Sequence, residues 1–94
     1  MAGYVYILAS KKNGTLYVGV TSDLGSRVWE HKERIHAGFT AKYGVVRLVW
    51  YQEFYEIGQA ISFEKKIKKW RRHWKIALIE QMNPDWRELY TGHW

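Results

Sequence analysis

Two short runs of β-branched and aromatic side chains, Tyr4-Val5-Tyr6-Ile7-Leu8-Ala9 and Thr15-Leu16-Tyr17-Val18-Gly19-Val20, flank the tetrapeptide Lys11-Lys12-Asn13-Gly14. Asn-Gly tolerates the left-handed backbone a tight turn needs, so the pattern predicts a β-hairpin at the start of the chain. Either a two-residue or a four-residue loop pairs even positions of the first strand with odd positions of the second. Tyr4, Tyr6 and Leu8 then share a face with Tyr17 and Gly19, and Val5, Ile7, Leu16, Val18 and Val20 share the other.

The second strand of the hairpin runs straight into a helix signal. Thr21-Ser22-Asp23 offers N-cap chemistry for a helix over 24–36 that ends near Ala37-Gly38. Residues 37–45 read as an exposed basic-aromatic loop with Phe39, Lys42 and Tyr43, and 47–54 as a third strand. Helices are expected over 57–71 and 73–82, stopped by Asn83-Pro84, and the tail is expected to add a short helical turn with Trp86 and Leu89 turned inward. The order ββα-β-αα predicts an α+β fold, one domain spanning residues 1–94. With no cysteine, neither a disulfide nor a thiolate centre is available, so the six Trp and the 47% apolar residues must do the folding. No charged leader with a long apolar run opens the sequence, and no apolar run approaches the roughly 18 residues of a membrane span, so a cytoplasmic protein that does not enter a membrane is expected.

Two positions break the local rules. Helical spacing of about 100° per residue places Leu24, Val28, His31 and Ile35 in one stripe, with Arg27 at its edge one turn before His31. His31 is either a core histidine satisfied by a backbone group or part of a site. Glu64 likewise falls among Ala60, Ile61 and Ile67, near Ile57, on the apolar side of its helix. A buried carboxylate without a partner costs several kcal/mol, so Glu64 is expected either in an ion pair, with Arg27 or another base, or as a ligand of a hard cation. Gly19, on the face of Tyr6 and Tyr17, removes a side chain where something must approach closely. Two phenols, a guanidinium, an imidazole and a carboxylate sharing one cleft would have the complement for phosphodiester hydrolysis.

These residues resemble the GIY-YIG endonuclease family, and in particular its small standalone bacterial members. Tyr4-Val5-Tyr6 stands where that family has Gly-Ile-Tyr and Tyr17-Val18-Gly19 where it has Tyr-Ile-Gly; Arg27 and His31 match its Arg-x-x-x-His helix, and Glu64 its metal position. The resemblance implies a small three-stranded antiparallel sheet flanked by helices, and a metal-dependent endonuclease using one divalent ion, Mg²⁺ or Mn²⁺. It further implies Tyr17 as general base or water-orienting group, Tyr6 assisting through hydrogen bonds, Arg27 stabilising phosphate charge, His31 relaying a proton and Glu64 holding the metal. Tyr4 and Val5 depart from the Gly and Ile of the first triplet, and Asn83 is the only candidate for the downstream Asn that many such nucleases use.

A formal charge of +6 suits a partner rich in phosphate. Lys65, Lys66, Lys68, Lys69, Arg71, Arg72, His73 and Lys75 surround Trp70 and Trp74. Such a run is either a solvated helix face or a nucleic-acid surface on which cations meet phosphates and rings stack on bases, extended by Arg34, Lys42 and Tyr43. The expected substrate is nucleic acid, DNA ahead of RNA, cut with structural selectivity or weak sequence specificity. With no room for a separate recognition domain, specificity would come from a protein partner, the chain itself being a monomer or weak homodimer. Two rivals stay open: a nucleic-acid-binding module of the same fold with little turnover, and a protein-interaction domain using its exposed Trp residues.

Overall fold

The computed structural model describes residues 1–34 and 38–92. The inward position expected of Ile35 and a helix end near Ala37 lie outside the described residues. Strand β1 (Gly3–Ala9) is the centre of a three-stranded sheet of order β2-β1-β3, with β2 (Leu16–Thr21) and β3 (Arg47–Phe54) both antiparallel to it. Four residues, 11–14, close the first hairpin: the Gly14 N–H donates to the Lys11 carbonyl at 2.9 Å, and Asn13 takes a left-handed φ of 59°. Tyr6 pairs with Gly19 and Leu8 with Tyr17, which is the face assignment expected from the sequence.

The two faces carry separate cores. Val5, Ile7, Ala9 and Val18 pack with Ala60 and Ile67 of α3 (Ile57–Lys68), Ile79 of α4 (Arg72–Met82) and the fully buried Trp86. A register shift against β3 between Ile7 and Leu8 lets the consecutive Val49 and Trp50 both serve this core, where strict alternation would have turned one of them away. On the opposite face Tyr6, Leu8 and Leu48 pack with Val45 and with Leu24 and Val28 of α1 (Leu24–Lys32). Because β1 is covered on both sides, it reads as an almost continuous buried run.

Several expectations need correction. Helix α1 stops at Lys32, four residues before the expected end, where Arg34 adopts a φ of 53° and its N–H donates to the His31 carbonyl. An arginine thus occupies the left-handed position at which a glycine would have announced the stop. The expected loop contains a five-residue helix, α2 (Phe39–Tyr43), bracketed by Gly38 and Gly44. Among its described residues the tail forms no helix; Trp86 is anchored by its indole N–H on Glu80 at 2.8 Å, and the Leu89 N–H pairs with the Leu48 carbonyl at 2.8 Å. Glu88 holds the tail by accepting from the Leu48 N–H and pairing with Lys32. Helix α3 also ends at Lys68, short of residue 71. Among the described residues, no helix is long and apolar enough to cross a membrane.

Candidate active site

Asp23 caps α1, its carboxylate accepting from the Ser26 N–H and hydroxyl, which holds the Asp23 pKa below its ordinary value. The cap fixes where α1 begins, and helical spacing then sets Val28 into the core, Arg27 at the exposed edge and His31, one turn later, over the sheet. Under α1 lies Tyr6, 1% exposed. Its ring occupies the volume that Gly19 vacates: a Cβ at residue 19 would overlap the Tyr6 ring and hydroxyl more closely than any real side chain allows. The group expected to approach Gly19 is therefore the tyrosine of the partner strand.

Around that ring the site closes. The Tyr6 hydroxyl lies 3.0 Å from His31 Nε2, and His31 Nδ1 lies 3.0 Å from the hydroxyl of Thr40, a residue 8% exposed on α2. Ring centroids of Tyr6, Tyr17 and His31 are 5.4–6.3 Å apart. Burial, first, and then the proximity of Tyr17 and Glu64 push the Tyr6 pKa well above that of a free phenol; the positive charge of the Arg27 guanidinium opposes them. The Tyr6 hydroxyl shares one hydrogen bond with His31 Nε2 and the Thr40 hydroxyl shares another with Nδ1, so the imidazole tautomer sets which partner donates in each. The histidine is thus held by two hydroxyls, and no backbone carbonyl is needed to satisfy it.

A cleft of about 180 Å³ opens beside this chain, lined by Tyr17, Arg27, Glu30, His31, Gly38, Phe39 and Thr40. Arg27 reaches it from the rim, its Nε 3.3 Å from Glu30. A larger hollow of about 380 Å³ lies at the other end of α1 between Tyr4, Tyr51 and residues 22–25, but its one carboxylate, Asp23, is spent on Ser26. The smaller cleft holds the groups suited to phosphate chemistry. Thr40 left no signal in the sequence because it reaches His31 only through a tertiary contact nine residues along the chain, and Phe39, expected only in an exposed loop, lines the cleft.

Glu64 is 6% exposed, as its place among Ala60 and Ile67 required, while Ile61 faces outward. Its partner is Lys68 one turn on, with the ammonium 2.5 Å from Oε2, and not Arg27. Glu64 does not line the cleft, yet its charge acts on Tyr6. Among the described residues no three His, Cys, Asp or Glu side chains gather into a metal cage. A single buried carboxylate already carrying a cation, the half-exposed Lys68 ammonium, still fits a hard divalent ion of the kind held by one carboxylate with waters and phosphate oxygens. Asn83 does not join the site: its amide donates to the Val49 and Arg87 carbonyls and accepts from the Arg87 N–H, so it is consumed in holding the tail.

Of the expected nucleic-acid contacts, Arg34, Lys42, Tyr43, Lys65, Lys66, Lys69 and Arg71 are exposed, and Lys75 is half-buried with its ammonium on the Lys68 carbonyl. Arg72 instead clasps the hairpin turn, donating to the Asn13 and Gly14 carbonyls at 2.7 and 2.6 Å. Trp70 and Trp74 meet edge to face, and Trp74 is 53% exposed.

Residues 2–77 match the family described as the GIY-YIG catalytic domain. The chain is 34% identical over 84 residues to a UPF0213 protein of Lacticaseibacillus paracasei, covering 89% of this chain and 93% of that one. It is 40% identical over 76 residues to a UPF0213 protein of Clostridium perfringens, covering 81% of each. The solution structure of a UPF0213 protein from Bacillus halodurans superimposes with a TM-score of 0.58 at 31% identity, over 94% of this chain and 93% of the other. The triplets around Tyr6 and Tyr17, the Arg27–His31 helix and the shared architecture converge: the chain belongs to the GIY-YIG catalytic domain family.

Proposed function

We propose that this protein is a metal-dependent endonuclease hydrolysing phosphodiester bonds of nucleic acid, DNA ahead of RNA, with its centre on the Tyr6 face of the sheet. The observation that carries the reading is the hydrogen-bonded chain Tyr6–His31–Thr40 lying beside Arg27 and Tyr17 at one cleft. His31 is held at both ring nitrogens, with a tyrosine whose pKa is raised on one side, and it faces the cleft together with Arg27 and Tyr17.

In hydrolysis a water oxygen bonds to phosphorus, the bond to the departing sugar oxygen breaks, one proton leaves the water and one reaches the sugar. Arg27, at the rim, receives the charge that spreads over the phosphoryl oxygens. Tyr17, half-buried on the cleft wall, orients the water or accepts its proton. Burial raises the Tyr6 pKa and disfavours it as that base; its task is to aim His31 through their hydrogen bond. The imidazole, whose ordinary pKa lies near neutrality, relays a proton with Thr40 fixing its orientation. Glu64, freed from Lys68, would hold Mg²⁺ or Mn²⁺, which when bound supplies charge neutralisation and polarisation of a phosphoryl oxygen. Lys65, Lys66, Lys69, Arg71 and Lys75, with Trp70 and Trp74, form an outer grip on the strand. A residue span of 1–94 acts as one catalytic domain, and selectivity beyond structure would come from a partner.

One observation favours the second reading, a binding module with little turnover: Asn83 is committed to the tail and supplies no catalytic amide. The experiment that separates the readings incubates the full chain with single-stranded, duplex, flapped and branched DNA and with RNA, in Mg²⁺, Mn²⁺ or EDTA. Metal-dependent cutting of at least one substrate is expected; binding without cutting of any substrate under either ion would transfer the assignment to the module.

A further inference from the structure

Two large rings stand half in water at the mouth of the cleft. Phe39 is 47% and Tyr43 52% exposed, although both lie on α2, whose Thr40 is buried. The rings form a series leading outward: Tyr17 and Phe39 are nearly parallel, 28° apart with centroids at 6.5 Å, and Phe39 meets Tyr43 at 4.9 Å. Cations edge this series. Lys42 lies 5.4 Å from the Tyr43 ring, the Arg34 guanidinium lies beside Gly44 at the end of α2, and Arg27 is on the opposite rim. Apolar faces left in water cost free energy, and here they sit beside the groups best suited to hold a phosphate.

We infer that α2 is a base-stacking platform: Phe39 and Tyr43 take the face of an unpaired nucleotide next to the phosphate in the cleft, so that single-stranded or locally opened nucleic acid is the selected form. The inference rests on the nuclease reading and deepens it. A base within a duplex has both faces covered by its neighbours and offers nothing to Phe39, whereas an unpaired base presents a free π-face, with Lys42 and Arg34 placed for its flanking phosphates. Thr40 ties the platform to the chemistry. It is the residue after Phe39, on the same short helix, and its hydroxyl meets His31 Nδ1 at 3.0 Å, so the base platform and the imidazole keep one register. Specificity then comes from the shape of the substrate.

The test is a binding titration of the full chain in EDTA with a short single-stranded oligonucleotide carrying 2-aminopurine and with the same oligonucleotide in a duplex. Base–aromatic stacking energies of about 1–3 kcal/mol correspond to a loss of roughly 5- to 150-fold in single-strand affinity for Phe39→Ala, with duplex affinity changed less than about twofold. Wild type is expected to quench the 2-aminopurine, Phe39→Ala to lose that quenching, and Phe39→Trp to restore it. Equal weakening for both DNA forms, or no effect of Phe39→Ala, would overturn the platform while leaving the nuclease reading standing. Wild type that binds neither form would overturn both.

Discussion

The two faces of one small sheet have been put to opposite uses. Beneath α3 and α4, the face of Val5, Ile7, Val18 and Trp50 is sealed: its sheet side chains are apolar, and the buried Trp86 indole and Asn83 amide packed against it have their partners in Glu80 and the Val49 carbonyl. Beneath α1, the face of Tyr6, Leu8 and Tyr17 mixes phenols, an imidazole and a guanidinium around a cleft. Because strand residues alternate, one seven-residue strand, β1, contributes to both, with Val5 and Ile7 turned one way and Tyr6 the other. The difference teaches that in a chain this short, rigidity for the site is borrowed from the sheet's other side. Dry packing holds β1 in place, and the polar side can then keep a buried phenol and a half-buried histidine in fixed geometry.

The partition breaks or sharpens under substitution. Ile7→Ala, in the centre of the sealed face, should cost about 2–5 kcal/mol of folding stability through lost burial and the cavity left behind. Below its melting range the variant should retain cleavage, and a urea titration paired with an activity assay at low temperature checks both parts. Activity lost by the folded variant would mean that the faces are not separable.

Gly19→Ala tests the seam between them. The new methyl collides with the Tyr6 ring, so it should cost about 1–3 kcal/mol as overpacking does, and in addition impair cutting by displacing the phenol from His31. Thermal melting and single-turnover cleavage, measured together, should both change; a loss of stability with unchanged cleavage would remove Tyr6 from the site.

Tyr6→Phe gives the smallest effect and a pH signature. At neutral pH, removal of the hydroxyl takes away one hydrogen bond, a loss of about 0.5–1.5 kcal/mol. The folded pKa of Tyr6 is raised, so its contribution is fully present below the unfolded phenol's pKa of about 10 and declines as pH rises beyond it, when the unfolded chain ionises first. The stability gap between wild type and Tyr6→Phe should accordingly hold up to about pH 9 and narrow as pH rises through about 10 and above in urea titrations. An unchanged gap would contradict the buried, neutral phenol.

Much of this was legible in the sequence because it rests on local periodicity. Alternation in the first hairpin placed Tyr6 and Tyr17 on one face and Val5 and Ile7 on the other, and helical spacing turned His31 and Glu64 inward. The rest depended on contacts no local pattern encodes. Thr40 reaches His31 from another element, and α2 is too short to show a helical repeat. Arg34 ends α1 in a conformation usually left to glycine, and the described part of the tail is an irregular segment whose backbone Glu88 and Asn83 pin. Lys68 could be seen one turn from Glu64, but only the fold chose it over Arg27 as the carboxylate's partner.

Single-turnover cleavage of a fluorescent single-stranded flap by wild type, Glu64→Gln and Arg27→Ala, with melting curves on the same samples, bears most directly on the polar face as a hydrolytic centre. Wild type should cut with Mg²⁺ or Mn²⁺ and not in EDTA, and each variant should lose about 100-fold or more in rate while melting within a few degrees of wild type. Cutting by Glu64→Gln at the wild-type rate, or no cutting by wild type with either ion, would contradict that assignment.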